Sequence, residues 1–135
     1  MENISINTAF EVLSWEPEVY DDNGEGVQLS RLKVVKRFEG ELNGDSVGHG
    51  IVTGVAGGAP GAYIVVETVK GKAHEREGTF VIQHGGVLNG ATVVHQWGDI
   101  VPGTGTGGFK GVTGHALFSH DENGAFIRFD MEFED

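Results

Sequence analysis

Residues 101–114, VPGTGTGGFKGVTG, constrain the fold of this chain more than any other stretch. Six glycines fall within fourteen positions, after one alternating apolar run and before another, with no helical patterning between them. Glycine costs backbone entropy and is kept where the chain takes positive φ or bends sharply. Beside strands, so many of them indicate a tight corner in a closed or strongly curved sheet. The segment also spells Gly103-x-Gly105-x-x-Gly108, the spacing of a dinucleotide fingerprint. That fingerprint works by delivering pyrophosphate to a helix N-terminus. FKGVTGHALF follows instead, glycine-broken and strand-like, so the expected role is structural.

The rest of the chain agrees. Short period-2 runs separated by turn residues predict eight strands, at about 5–15, 28–42, 46–55, 61–70, 78–87, 91–101, 111–120 and 125–134. Four Asn-Gly pairs, Asn23-Gly24, Asn43-Gly44, Asn89-Gly90 and Asn123-Gly124, punctuate them, and Asn-Gly suits the type I′ turn of a hairpin. Consecutive hairpins predict an all-β, eight-stranded antiparallel up-and-down barrel occupying residues 1–135 as one domain, with a two-sheet sandwich as the alternative. A net charge of −11 disfavours nucleic acid and anionic membrane surfaces as partners. With no cysteine, no spanning apolar run and no signal-peptide pattern at MENISINTAF, a soluble, cytoplasmic domain is expected.

If each Asn-Gly pair is a two-residue turn, register follows. His84 then lies opposite His95 and Ile82 opposite Trp97; Phe38 lies opposite His49 and Lys36 opposite Ile51; Phe118 lies opposite Phe129 and Ala116 opposite Met131. The last hairpin gains an apolar face of Ala116, Phe118, Ile127, Phe129, Met131 and Phe133. The other two turn Lys36, Phe38, His49, His84, His95 and Trp97 inward. Ionisable groups among apolar walls must be paired or hydrogen-bonded, and they indicate a lined pocket. In AYIVVETV, Tyr63 and Glu67 share one face, but both faces are apolar enough to turn inward. Glu67 is therefore either an acid–base partner of His84 or half of a buried ion pair with Lys36.

Other residue clusters have plainer readings. Cross-strand His84 and His95, about 5 Å apart at Cβ, form a weak metal alternative, but no third ligand is identifiable, so no metal and no cofactor are expected. Asp21-Asp22-Asn23-Gly24-Glu25-Gly26 begins like a calcium loop, yet Leu32 stands where the bidentate glutamate belongs. An exposed hairpin loop is expected. His115 should pair with Glu132 on the surface. Val35, Val52, Val81 and Leu117 are the candidate apolar contacts for self-association.

Gly105-Thr106-Gly107-Gly108-Phe109-Lys110-Gly111-Val112-Thr113-Gly114 resembles the G-T-G-x-F-[RK]-x-x-x-G corner of allene oxide cyclases and dirigent proteins. A closer resemblance, to a bacterial family of unknown function in that superfamily, includes Lys36-x-Phe38-x-Gly40-x-Leu42-x-Gly44, Tyr63 with Glu67, Gly78-x-Phe80-x-x-Gln83-His84 and Val101-Pro102-Gly103-x-Gly105-Thr106-Gly107. It implies an allene oxide cyclase-like barrel with an interior cavity and assembly as a homo-oligomer, typically a trimer in those families. No cyclase residues map onto this chain. The expected function is binding of a small apolar or aromatic molecule inside the barrel, by Lys36, Phe38, His49, Tyr63, Glu67, His84, His95 and Trp97. The alternatives are a cofactor-free isomerase or cyclase using Glu67 and His84, and a homo-oligomeric structural module.

Overall fold

A computed structural model describes residues 2–134. Eight antiparallel strands hydrogen-bond in sequence order into one closed ring. They are β1 (Glu2–Asp22), β2 (Gln28–Gly40), β3 (Leu42–Gly54), β4 (Pro60–Ala73), β5 (Arg76–Asn89), β6 (Thr92–Ile100), β7 (Val112–Asp121) and β8 (Gly124–Phe133). The one helical element among the described residues is a 3-10 turn, Gly107–Phe109, so no helix is long and apolar enough to cross a membrane.

Side-chain alternation decides what faces inward. In β8, Ile127, Phe129, Met131 and Phe133 are buried, while Arg128 and Glu132 meet solvent. In β4 the inward set is Val65, Glu67, Val69 and Ala73. Lys70 and Lys72 occupy the alternate positions, and keeping both ammonium groups in water fixes this choice. The cost is an exposed outer wall carrying Ile64 and Val66 on β4 beside Ile51 and Val47 on β3. Val52 is not part of that wall; it is half-buried and packs inside against Leu32, Val34 and Val65.

The turns depart from the Asn-Gly rule. The β2–β3 reversal centres on Glu41, with Phe38 opposite Gly44 and Lys36 opposite Ser46. Asn43 lies inside β3, where its amide spans the turn by donating to the Gly40 carbonyl (3.1 Å) and accepting from the Gly40 N–H (3.3 Å). The β5–β6 turn is Gly90-Ala91, and a bulge then offsets the ladder at Val94, so that Val87 opposes His95 and His84 opposes Gly98. The β7–β8 turn is Glu122-Asn123; Phe118 opposes Ile127 and Ala116 opposes Phe129, which preserves the expected faces. In the β1–β2 loop the Asp22 and Asn23 side chains serve the backbone. Asp22 accepts from Gly24 N–H (2.8 Å), and Asn23 accepts from Glu25 N–H (2.8 Å) and Val27 N–H (3.2 Å).

The glycine-rich segment is a longer device than a corner. Residues 101–111 run back beside β5, with Val101 N–H donating to Val81 C=O (2.9 Å) and Thr106 N–H to Thr79 C=O (2.8 Å). The hydroxyls of Thr104 and Thr106 accept from Val81 and Thr79 N–H, both at 3.0 Å. These threonines thus satisfy donors that β6 leaves unpaired. The 3-10 turn then inserts Phe109, fully buried, against Phe80 (ring centroids 5.0 Å apart). With Phe38, Phe129, Ile6 and Leu42, these rings plug one end of the ring of strands. The other end is open. Among the described residues β6 and β7 pair only beside the plug, at Asp99–His115 and Ile100–Gly114, and are unpaired toward the open end; His115 accordingly meets Asp99 (2.9 Å) and not Glu132.

Candidate ligand-binding site

Above the aromatic plug the interior becomes polar over one layer and then hollow. The polar layer is drawn from four adjacent strands: Lys36 of β2, Ser46 of β3, Glu67 of β4 and His84 of β5, all buried. Glu67, with no exposed surface, is the hub. Its Oε2 accepts from Lys36 Nζ (2.9 Å) and from His84 Nε2, and its Oε1 accepts from Ser46 Oγ (2.8 Å). Opposite Glu67 in the ladder stands Gly48, where a Cβ would press within 2.5 Å of the Glu67 side chain. The glycine makes room for the carboxylate to lie along the wall.

Burial is the largest influence on the Glu67 carboxyl and would raise it. The His84 hydrogen bond, the Lys36 charge and the remaining contacts together overcome that, and the group titrates at about 2. At neutral pH Glu67 is therefore a carboxylate with no proton to give, so His84 Nε2 must carry the hydrogen they share. His84 Nδ1 is buried and has no hydrogen-bond partner among the described residues. The ring is held between Phe118 (centroids 4.4 Å) and Tyr63 (5.6 Å). Lys36 Nζ lies 5.0 Å from the centroids of both Phe10 and Phe118, within cation–π range.

Lys36 and His84 form the floor of a cavity of about 470 Å³. Its walls include Phe10, Trp15, Val34, Tyr63, Val65 and Phe118, and Gln96 and His120 add polar groups. Burial, opposed by the Gln96 side chain and reinforced by the Glu67 charge, raises the Tyr63 phenol, which stays protonated and able to donate. A second depression, between β6 and β7, shares Gln96 and Phe118 with the cavity.

The structure thus brings together Lys36, Tyr63, Glu67 and His84 of the expected set. Four others lie elsewhere. Phe38 is one layer too deep, in the plug. His49 projects outward opposite Lys33 and Val66, because the β2–β3 turn is displaced from Asn43-Gly44. His95 and Trp97 also face outward, because the Gly90-Ala91 turn and the Val94 bulge move the β6 ladder by three places. This removes the His84–His95 metal pair, and no cluster of three or more potential ligands occurs among the described residues.

Sequence reasoning missed Ser46, Phe10, Trp15 and Gln96 as site residues. Trp15 is the instructive one: a bulge at Leu13 reverses the parity of β1, putting Val12 and Trp15 on the same side although they are three apart.

A profile of the DUF3224 family, described as proteins of unknown function, matches residues 6–133. The chain belongs to this family. It is similar to a solved structure of a DUF3224 protein of unknown function from Shewanella oneidensis MR-1, with 31% identity over 99% of each chain and a TM-score of 0.86. No curated protein matches the chain.

Proposed function

We propose that the protein binds a small, mostly apolar molecule inside the ring of strands, its one polar head resting on Lys36 and His84. The observation that carries this reading is His84, a buried imidazole in the lining of an otherwise apolar cavity, whose Nδ1 has no partner among the described residues. An unmet polar group of this kind costs about 1–3 kcal/mol; with the shared hydrogen on Nε2, Nδ1 can only accept, so the ligand group facing it is a donor or a polarised C–H and not the carbonyl oxygen. The volume falls in the range of small-molecule sites, and the aromatic walls suit a planar ring.

Glu67 refines the head group. Its charge already offsets Lys36, so a carboxylate ligand would meet the Glu67 charge as well as the ammonium. A neutral carbonyl oxygen fits better, accepting from a free Lys36 N–H. Sequential pairing from β1 to β8 and the plugged end also support placing the fold among allene oxide cyclase-like barrels.

Thermal unfolding with 2-tetralone, phenylacetone and 2-naphthoic acid tests this. A ketone at a hundredfold excess over its Kd should add about 2.7 kcal/mol, with Tm rising by roughly 3 °C for each kcal/mol. Trp15→Ala should weaken the effect, and Ile64→Ser on the outer wall should not. Equal stabilisation by the carboxylate, or no response to Trp15→Ala, contradicts the reading.

A further inference from the structure

We infer that this cavity is also a proton-transfer site, in which His84 Nδ1 takes a proton from the carbon beside a ligand's carbonyl group while Lys36 receives the oxygen. The inference rests on the binding reading above and adds a reaction and a substrate class: small, apolar, enolisable ketones.

Three features of the floor support it. The first is the division of labour on the imidazole. Nε2 is committed to Glu67, while Nδ1 has no protein partner, so the neutral ring offers a lone pair there. A carboxylate that fixes the tautomer of a histidine and supports its positive form is the arrangement by which imidazole becomes an effective base. The second is Lys36. Its ammonium has three N–H donors, of which Glu67 takes one. Because Lys36 Nζ and His84 Nε2 share the same Glu67 oxygen, the two side chains are anchored side by side on the floor, each with a polar position not used by Glu67. The third is the apolar wall formed by Phe10, Val34, Val65 and Phe118, which lowers the polarity around the floor and strengthens each of these interactions.

The step balances without a co-reactant. The C–H electron pair becomes the C=C bond of an enolate, the carbonyl π pair moves to oxygen, and the proton goes to Nδ1. The enolate oxygen accepts from Lys36, and the imidazolium faces the Glu67 carboxylate. Replacement of the Nδ1 proton by a solvent deuteron, followed by its delivery to the same carbon, gives exchange; delivery to the far carbon of a β,γ-unsaturated ketone gives the conjugated isomer. His84 and Lys36 touch the reacting atoms. Glu67 has both oxygens engaged in the wall and acts as a positioning residue.

The test is deuterium incorporation at the α-carbons of 2-tetralone in D2O, followed by proton NMR with the full chain. General-base catalysis contributes about 10²–10⁴-fold, so the protein should exceed an equal concentration of imidazole by at least about 100-fold. His84→Gln should fall to the imidazole rate while 2-tetralone, still held by Lys36 and the aromatic walls, raises its Tm by less than in the parent. Glu67→Gln should lower kcat with little change in KM and displace the acid limb of the kcat–pH profile, which a merely structural role would not do. Should Glu67→Gln fail to fold, His84→Gln decides, since it keeps the Lys36–Glu67 pair. Binding of 2-tetralone with exchange no faster than imidazole overturns the proton-transfer inference and leaves the binding reading standing. A His84→Gln protein as fast as the parent also overturns it. Failure of both 2-tetralone and phenylacetone to bind overturns both.

Discussion

Glu67→Leu is expected to lower folding stability by about 3–5 kcal/mol, the usual consequence of removing one partner from a buried ion pair. The change deletes the acceptor for three buried donors, Lys36 Nζ, His84 Nε2 and Ser46 Oγ, and strands an ammonium that is 7% exposed. A domain of this size has about 5–15 kcal/mol in all, so urea denaturation will show the loss as a large drop in midpoint. Lys36→Met combined with Glu67→Leu removes both charges and should recover most of it, because replacing a whole buried pair by apolar groups is close to neutral. Acid titration examines the same group. The folded-state carboxyl titrates at about 2 against an ordinary 4.5, so its contribution is fully present above pH 4.5 and is lost as pH falls toward 2. That leg amounts to about 3 kcal/mol and should be missing from the double variant. A Glu67→Leu cost below about 1 kcal/mol would show that the array is not the buried pair described.

The second large effect concerns ring closure. Gly114→Ala should destabilise by about 3 kcal/mol or more, combining left-handed strain with overpacking. Gly114 has φ +138°, and a Cβ there would overlap the Asp130 carbonyl oxygen and approach Met131 Cα to 3.2 Å. Both obstacles are backbone, so neither can swing aside. Gly114 also forms one of the two pairs that join β6 to β7. Gly58→Ala is the control: φ is +80°, but the added methyl meets nothing within 4 Å. It should cost only about 1–2 kcal/mol. Equal losses for the two would mean that crowding at the seam contributes nothing.

Strand number, antiparallel order and the faces of the last hairpin were legible because polarity alternates cleanly there: Arg128 and Glu132 cannot share a side with Phe129 and Met131. The inward direction of Lys36 and His84 was legible from parity along their own strands, which needs no partner. Cross-strand placement was not. Asn-Gly marked the neighbourhood of each reversal, but Asn43 served as a side-chain clamp and the β5–β6 reversal fell one residue later, at Gly90-Ala91. That later turn moves each partner by two places and keeps the faces; the extra residue of the Val94 bulge makes the shift odd, and so His95 and Trp97 went to the wrong face. Bulges at Leu13 and Val94 have no sequence signature of their own, and the first of them hid Trp15. Glu67 was ambiguous in AYIVVETV and became decidable only when Lys70 and Lys72 were read on the same strand.

The central claim is that the buried Lys36–Glu67–His84 array floors a ligand cavity. Crystals grown with 2-tetralone test it most directly. The predicted density places the carbonyl oxygen within hydrogen-bond reach of Lys36 Nζ and the rings among Trp15, Tyr63 and Phe118. Density confined to the outer wall near Ile51 and Ile64, with none above Lys36, would contradict it.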